Sequence, residues 1–453
     1  MAAATGALVA GPTAGNPQSP AEASSKKKAG MVGGRRILTL NSIIRVNQIE
    51  VSRDRNEGVD EADRHTPENV AVLRRSFAAG WPGAPMTWAF SWRALHDQRD
   101  NYRQIRKLVA RFHEQYGDDV TFIPGAYFAN AYNTREQVNR DLHEGLEKAA
   151  AIVGGGFRPK SVIAGFLSSA NLKFLAEEEG IHVCQGNIWS QYAIDNQDGD
   201  GSVSYPYYPS AEHFCKPAQG KDDFIDCVNL DGWTIDFVAG RRSGYDWEKN
   251  VNSRMGVGPI ETIGWFGPEV GLAQMIECTA AHFDGGFRLN DWAWVTNCWE
   301  VSLVPQIKNL DVLTRWVSRI RERWPDAECL TMGELGMNFR RQYNDNSRFE
   351  YRFVQRGTGI GGSDANLEVR WFMNRDFRLA LLKDWKTGTP ELVIDWTRYD
   401  LPAVEPAGTT RNWSLLGAIN QKQTRLQDRP VPLGSLTEND REIIFHRYPE
   451  LKS

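Results

Sequence analysis

From residue 36 the chain alternates β-branched runs with stretches of helical spacing. Arg36–Val46 (RILTLNSIIRV) reads as a strand, and Thr66–Ala79 (TPENVAVLRRSFAA) as a helix whose Thr-Pro opening suits the N-cap and first helical positions. The alternation continues through a strand at Pro85–Phe90, a helix over Asp100–Tyr116, a strand at Val120–Pro124 and a long charged helix over Thr134–Val153. Ser161–Phe166, Ala170–Glu179 and His182–Gln185 then read as strand, helix and short strand. This βαβα rhythm predicts parallel strands covered by helices. Beyond a loop-rich insertion at Asp195–Asp223, further strands are expected at Trp233–Val238, Phe287–Val295 and Glu328–Met332, with helices over Val270–Ala281 and Val312–Arg323 between them. About seven strands by Cys329 suit a (β/α) barrel of seven or eight units. The pattern then changes. Phe349–Arg356, Leu367–Met373, Phe377–Leu382 and Glu391–Trp396 follow one another without helical stretches, which predicts a C-terminal β-rich appendage of antiparallel sheet. The expected organisation is a tail over 1–34, the barrel over 35–338 and the β-rich domain over 339–453.

Composition narrows the class. The 453 residues are 41% hydrophobic and 24% charged, enough for a large core, and no apolar run reaches the roughly 18 residues of a membrane span. A net charge of −4 lacks the basic excess that binding a phosphate backbone requires, so nucleic acid is not an expected partner. Sixteen tryptophans point towards carbohydrate, because an indole face stacks on a sugar ring while its N–H fixes a hydroxyl. The competing reading is a Trp-rich core. The small, weakly apolar N-terminus and the Pro/Ser/Ala stretch up to Lys26-Lys27-Lys28 resemble the end of a secretory signal followed by a spacer, so export is expected. Six cysteines at wide spacings, without a CxxC, argue against structural zinc; an exported chain would let some of them pair. The GxGxxG at Gly357–Gly362 precedes another strand rather than a helix and reads as a turn.

The order of strand-end signals carries a resemblance. Thr87-Trp88-Ala89-Phe90, Gly117-Asp118-Asp119-Val120, Arg158-Pro159 leading to Ala164-Gly165, Leu175-Ala176, Gly180-Ile181, Asn187 and Trp189 together resemble polysaccharide-deacetylase-like barrels over about residues 36–240. That superfamily also holds retaining glycoside hydrolases. Asp198–Asp231 resembles an uncharacterised bacterial domain family of unknown function. The resemblance implies a carbohydrate substrate and, in the deacetylases, a metal held by paired Asp residues after the first strand and an HxxxH pair after the third. The third strand here runs into Pro124-Gly125-Ala126-Tyr127-Phe128 without a histidine, so Asp54 and His65 are the candidate ligands of a rearranged transition-metal site.

Parallel barrels carry their chemistry at the C-terminal strand ends, so acids there are the candidates for catalysis. Glycosidic cleavage needs two carboxyl groups, one kept protonated by an apolar neighbourhood. Asp291, between Asn290 and Trp292, and Glu334, in Gly333-Glu334-Leu335-Gly336, fit best; Asp195 and Glu50 are the other two candidates. Trp189, Tyr192, Tyr207, Tyr208, Trp292, Trp294 and Trp88 are the expected sugar-stacking residues. Asn196, Asp198 and Asp200, followed by Gly201, match the opening half of a calcium loop, whose closing Glu position is Tyr207 here. The competing readings are surface acids, core aromatics and an ordinary Asp-Gly turn. Three functions follow: a glycoside hydrolase using strand-end carboxylates, a metal-dependent carbohydrate deacetylase, and a glycan-binding protein without catalysis.

Overall fold

The computed structural model describes residues 30–51, 53, 56–165, 167–187, 201–231, 234–239, 257, 260–307, 310–410, 413, 415 and 429–452. Its strands are β1 (Arg36–Ile44), β2 (Asn47–Ile49), β3 (Glu57–Asp60), β4 (Thr87–Ser91), β5 (Asp119–Ile123), β6 (Val162–Ile163), β7 (Val183–Asn187), β8 (Val228–Asp231), β9 (Ala293–Glu300) and β10 (Glu328–Leu330). The helices that cover them include α1 (Pro67–Gly80), α2 (Trp92–His96), α3 (Asp100–Tyr116), α4 (Ala129–Tyr132), α5 (Arg135–Val153), α6 (Ser169–Glu177), α7 (Trp265–Ala280), α8 (Phe287–Asn290), α9 (Asp311–Arg323) and α10 (Met332–Gln342). Thr66 caps α1 with Pro67 at its start, as the sequence predicts, and the structure adds a capping box of Thr134 and Gln137 on α5.

Two parallel sheets result. In the first, β1 is central: β9 runs along one edge, while β10 pairs with Ile37–Thr39 and β4 with Asn41–Ile44, and β5 follows β4. The second is β6-β7-β8, also parallel. The Thr121 hydroxyl on β5 donates to the Ser161 carbonyl just before β6, which brings the two sheets edge to edge.

Register sorts the side chains into two faces, because partners across a ladder share a face. Leu38, Leu40, Ile44, Phe90, Phe122 and Trp299 lie on the face packed under the helices, all fully buried. Gly145 on α5 has no room for a Cβ, which would stand 2.7 Å from the Phe122 ring. The opposite face is mixed: beside buried Ile37, Ile43, Ala89 and Ile123, Trp294 Nε1 donates to Thr39 Oγ1 (2.9 Å), Thr39 to Thr296 Oγ1 (2.8 Å), and Asn41 Nδ2 to the same Thr296 oxygen (3.0 Å).

The C-terminal region is an antiparallel sheet of β11 (Glu350–Arg356), β12 (Leu367–Asn374), β13 (Phe377–Asp384), β14 (Leu392–Arg398) and β15 (Val431–Pro432) in that order, the β-rich appendage that the sequence predicts. One face joins the main core through Phe353, Val369 and Trp371. The other packs on α11 (Glu438–Arg447) around Phe377, Ile444 and Tyr448. No described helix is long and apolar enough to cross a membrane.

Three sequence-based expectations change. Phe287–Asn290 is helical, continuing the π-helical Ala281–Gly286, and the strand starts only at Ala293. Around Thr234–Ala239 the chain makes a helical turn in which Asp236 accepts from the Val238 and Ala239 amides, rather than a strand. All six cysteines are free thiols, so none of the pairings that export would permit is formed.

Candidate functional site

Parallel pairing brings the C-terminal ends of β1, β4, β5 and β9 to one edge of the first sheet. Arg45 immediately follows β1 and Glu300 ends β9. The Arg45 guanidinium donates from Nε to Glu61 Oε2 (2.6 Å), and from Nη2 to Glu61 Oε1 (3.2 Å) and Glu300 Oε2 (2.6 Å). Arg45 and Glu61 are buried, whereas the Glu300 side chain keeps 14% of its surface open. Burial opposes the charge on Arg45, yet the Glu300 and Glu61 carboxylates outweigh it and hold the guanidinium above its ordinary pKa.

Tyr127 stands beside this pair. Beyond β5 the chain runs through Gly125 (φ 59°), Ala126 (φ 42°) and Tyr127 (φ 88°), three left-handed residues in succession, two of which are not glycine. Such backbone costs of order 1–3 kcal/mol per residue and clusters where function requires a particular placement. Here it places the Tyr127 ring 5.8 Å from the Arg45 guanidinium carbon and its hydroxyl 4.0 Å from Cys298 Sγ. Gly165 makes the turn feasible: a Cβ there would stand 2.2 Å from the Tyr127 carbonyl oxygen. Burial first, then the neighbouring Cys298 and Glu300, push the Tyr127 phenol well above its ordinary pKa.

His65 and Glu50 brace the cluster from behind. His65 Nδ1 donates to the Glu61 carbonyl (3.0 Å), and its Nε2 accepts from the Arg45 amide (3.2 Å). Burial, opposed by the Glu61 carbonyl, lowers its pKa to about 4, so the ring is neutral with its proton on Nδ1. Glu50 accepts from the Val46 amide (3.0 Å), the Ser91 hydroxyl (2.6 Å) and the Arg93 amide (3.0 Å), tying the loop after β1 to the end of β4. Burial raises its pKa against those three bonds.

The remaining predicted residues lie elsewhere. Asp291 is exposed, holds a left-handed φ of 61° and precedes β9, so it stands at the N-terminal edge of the sheet. Glu334 caps α10, its Oε2 accepting from the Thr331 amide (3.0 Å); β10, which leads into it, pairs with the N-terminal part of β1. Asp291 therefore precedes its strand rather than ending it, whereas Glu334 does follow the C-terminal end of β10 but lies near Asp119 at the start of β5, away from the Arg45 and Glu300 cluster. The five described aromatics are core residues rather than an open platform. Trp88 donates to Asp118 Oδ2 (2.8 Å), and Trp292 packs on Tyr205 and Tyr351. Trp294 donates to Thr39, Tyr207 to the Phe214 carbonyl (2.7 Å) and Tyr208 to the Tyr343 carbonyl (2.6 Å). Trp189, Tyr192, Asp195, Asp54, Asn196, Asp198 and Asp200 lie outside the described residues.

The metal expected at Asp54 and His65 finds no free ligand on His65, because both ring nitrogens are already bonded to backbone groups. Among the described residues, no three His, Cys, Asp or Glu side chains converge as a metal site requires. Sequence reasoning missed Arg45, Glu61, Tyr127, Cys298 and Glu300. Glu300 follows from the strand-end rule once β9 is placed at Ala293–Glu300.

The model of the DUF3863 family, described as a domain of unknown function with a solved structure, matches residues 31–373. The chain belongs to this family. A second model of the same description, DUF3864, matches residues 378–451 of this DUF3863 protein. A candidate glycoside hydrolase/deacetylase from Parabacteroides distasonis is 47% identical, with a TM-score of 0.86 over 94% of this chain and 100% of that one. A candidate polysaccharide deacetylase from Mycobacterium smegmatis is 11% identical with a TM-score of 0.42, over 68% of this chain and 92% of that one. Likeness at that second level assigns no residue and no activity. No curated protein matches the chain. The resemblance read from the strand-end residues, polysaccharide-deacetylase-like and running through a domain family of unknown function, therefore stands.

Proposed function

We propose that this protein is a carbohydrate-active hydrolase that cleaves a glycosidic bond at the strand-end cluster of Arg45, Tyr127 and Glu300. The observation that carries the reading is the placement of Glu300: a partly open carboxylate at the end of a parallel strand, held by a buried arginine beside a tyrosine on strained backbone. Glu300 is the nucleophile or base, and Arg45, braced by buried Glu61, is its positioning partner. The Tyr127 hydroxyl faces the same space. Glycosidic cleavage needs a second carboxyl group about 5–10 Å away. Asp195, which follows β7 in the chain, is our candidate for it. The Thr121–Ser161 link and the Thr296 amide bonded to Thr234 Oγ1 (3.0 Å) support reading both parallel sheets as one distorted (β/α) barrel around this centre.

The second reading is deacetylation in the same pocket, supported by the description of the 47%-identical Parabacteroides distasonis protein, which names both activities. A panel of acetylated and acetyl-free oligosaccharides, assayed for reducing ends and for free acetate, separates the two. Reducing ends that disappear in Glu300→Gln support glycoside hydrolysis. Acetate without reducing ends transfers the chemistry to the second reading.

A further inference from the structure

The groove between α3 and α5, on the outside of the helical layer, concentrates positive charge in a protein whose net charge is −4. It measures about 800 Å³ and is lined by Arg103, Arg106, Lys107, Arg111 and Lys148, with Leu108 and Ile152 among its apolar walls. Among the described residues, none of the lining side chains is acidic.

Helix geometry arranges these cations. Arg103, Lys107 and Arg111 are spaced four apart on α3, so they stack along one face about 6 Å from one another, and Lys148 joins them from α5. Arg106 is fixed by donating to the Ala94 carbonyl (2.7 Å) and the Asp97 carbonyl (2.8 Å). Arg103 reaches Asp100 at 3.4 Å. Among the described residues, the side chains of Lys107, Arg111 and Lys148 have neither a hydrogen-bond nor an ion-pair partner. The like charges of Lys107, Arg111 and Lys148, which have no ion-pair partner among the described residues, oppose folding and attract an anionic ligand.

We infer that this groove is an accessory site for an acidic polysaccharide, a chain of uronate-type sugars whose carboxylates meet the row of cations while ring faces lie on the apolar walls. The sugar class rests on the proposed function; the charge does not. A row of cations spaced four residues apart along one helix matches a polymer with regularly repeated charge better than a single small anion.

The test measures binding of full-length protein to polygalacturonate, with neutral dextran and phosphatidylglycerol vesicles in parallel arms, across a range of salt. Polygalacturonate should bind, dextran should not, and affinity should fall steeply as salt rises. The double variant Lys107→Glu/Arg111→Glu should bind at least tenfold more weakly, and Lys148→Glu, on the facing helix, should lose affinity in the same direction. Both should retain wild-type cleavage of short neutral oligosaccharides. Equal binding by wild type and variants, dextran binding as tight as polygalacturonate, or capture by vesicles alone would each overturn the inference. Charge-dependent polygalacturonate binding by a protein that cleaves no glycan would support the groove and reject the catalytic reading.

Discussion

Arg45 and Glu300 meet across two neighbouring parallel strands, Nη2 to Oε2 at 2.6 Å, where β1 and β9 end together. The same guanidinium also binds Glu61, whose side chain is as buried as its own. The two carboxylates therefore have different roles. Glu61 is buried with the arginine that it holds, and Glu300 keeps 14% of its side-chain surface exposed. Removing one partner of a buried pair leaves an uncompensated charge and costs about 3–5 kcal/mol. Arg45→Met should lose roughly that much in urea unfolding at pH 7. Glu300→Gln should lose no more than about 1.5 kcal/mol, because the amide still accepts from Arg45, yet its kcat should fall at least a hundredfold. Comparable stability losses in the two variants, with activity intact in Glu300→Gln, would leave the cluster a purely structural one.

Gly165 and Gly80 offer a matched comparison. A Cβ on Gly165 would stand 2.2 Å from the Tyr127 carbonyl oxygen, and one on Gly80 would stand 2.3 Å from the Thr314 carbonyl oxygen, where α1 meets α9. Overpacking of this kind costs about 1–3 kcal/mol. Both alanine variants should melt at lower temperature. Only Gly165→Ala should lose activity beyond what its folded fraction accounts for, because only it displaces Tyr127. Equal specific activity per folded molecule in both would separate the strained turn from function.

Much of the fold is legible in the chain, and the reasons are local. Asp100–Tyr116 shows its helix by spacing, the long charged stretch from Thr134 to Val153 gives α5, and the β-branched runs from Phe349 onward give β11 to β14. The site is less legible. Phe287–Val295 reads as a strand because a short apolar run has no period long enough to distinguish strand from helix. Packing decides otherwise: Phe287 lies under the Arg36 guanidinium at 3.7 Å, and Asn290 Nδ2 donates to the Arg352 carbonyl (3.0 Å). A strand over Phe287–Val295 would contain Asp291, whereas the strand that forms begins after Asp291 and ends at Glu300. Positive φ at Ala126 and Tyr127 leaves no mark in composition, so the turn that presents Tyr127 could not be read from the chain.

The tryptophans test the same distinction between core and platform. Trp292 and Trp294 are nearly fully buried, and Trp294 spends its N–H on Thr39. Trp292→Ala should cost about 3–5 kcal/mol. Trp294→Phe should cost about 1–3 kcal/mol, chiefly by leaving Thr39 without its donor. Neither should weaken glycan binding once the fraction folded is taken into account, as fluorescence titration alongside urea unfolding would show. A selective loss of affinity in either variant would restore that tryptophan to the binding surface.

His65 gives the pH dependence its clearest handle. Its folded pKa is lowered to about 4, while an imidazole in the unfolded chain titrates near 6.5. As pH falls below about 6.5, the unfolded state takes up the proton first, so stability declines towards pH 4 and the His65 contribution flattens below it. Buried His213 and His282, each lowered to about 3, act in the same sense. Buried carboxyls act oppositely: Asp119, raised to about 6, is protonated first in the folded state and gains stability over part of the same window. The His65 share is therefore measured as a difference between proteins. Unfolding free energies of wild type and His65→Asn at pH 7, 6 and 5 should diverge in slope by up to about 1.4 kcal/mol per pH unit, with the variant less acid-sensitive. Parallel lines would mean that His65 takes up a proton in place, and that its two backbone hydrogen bonds do not hold the ring neutral.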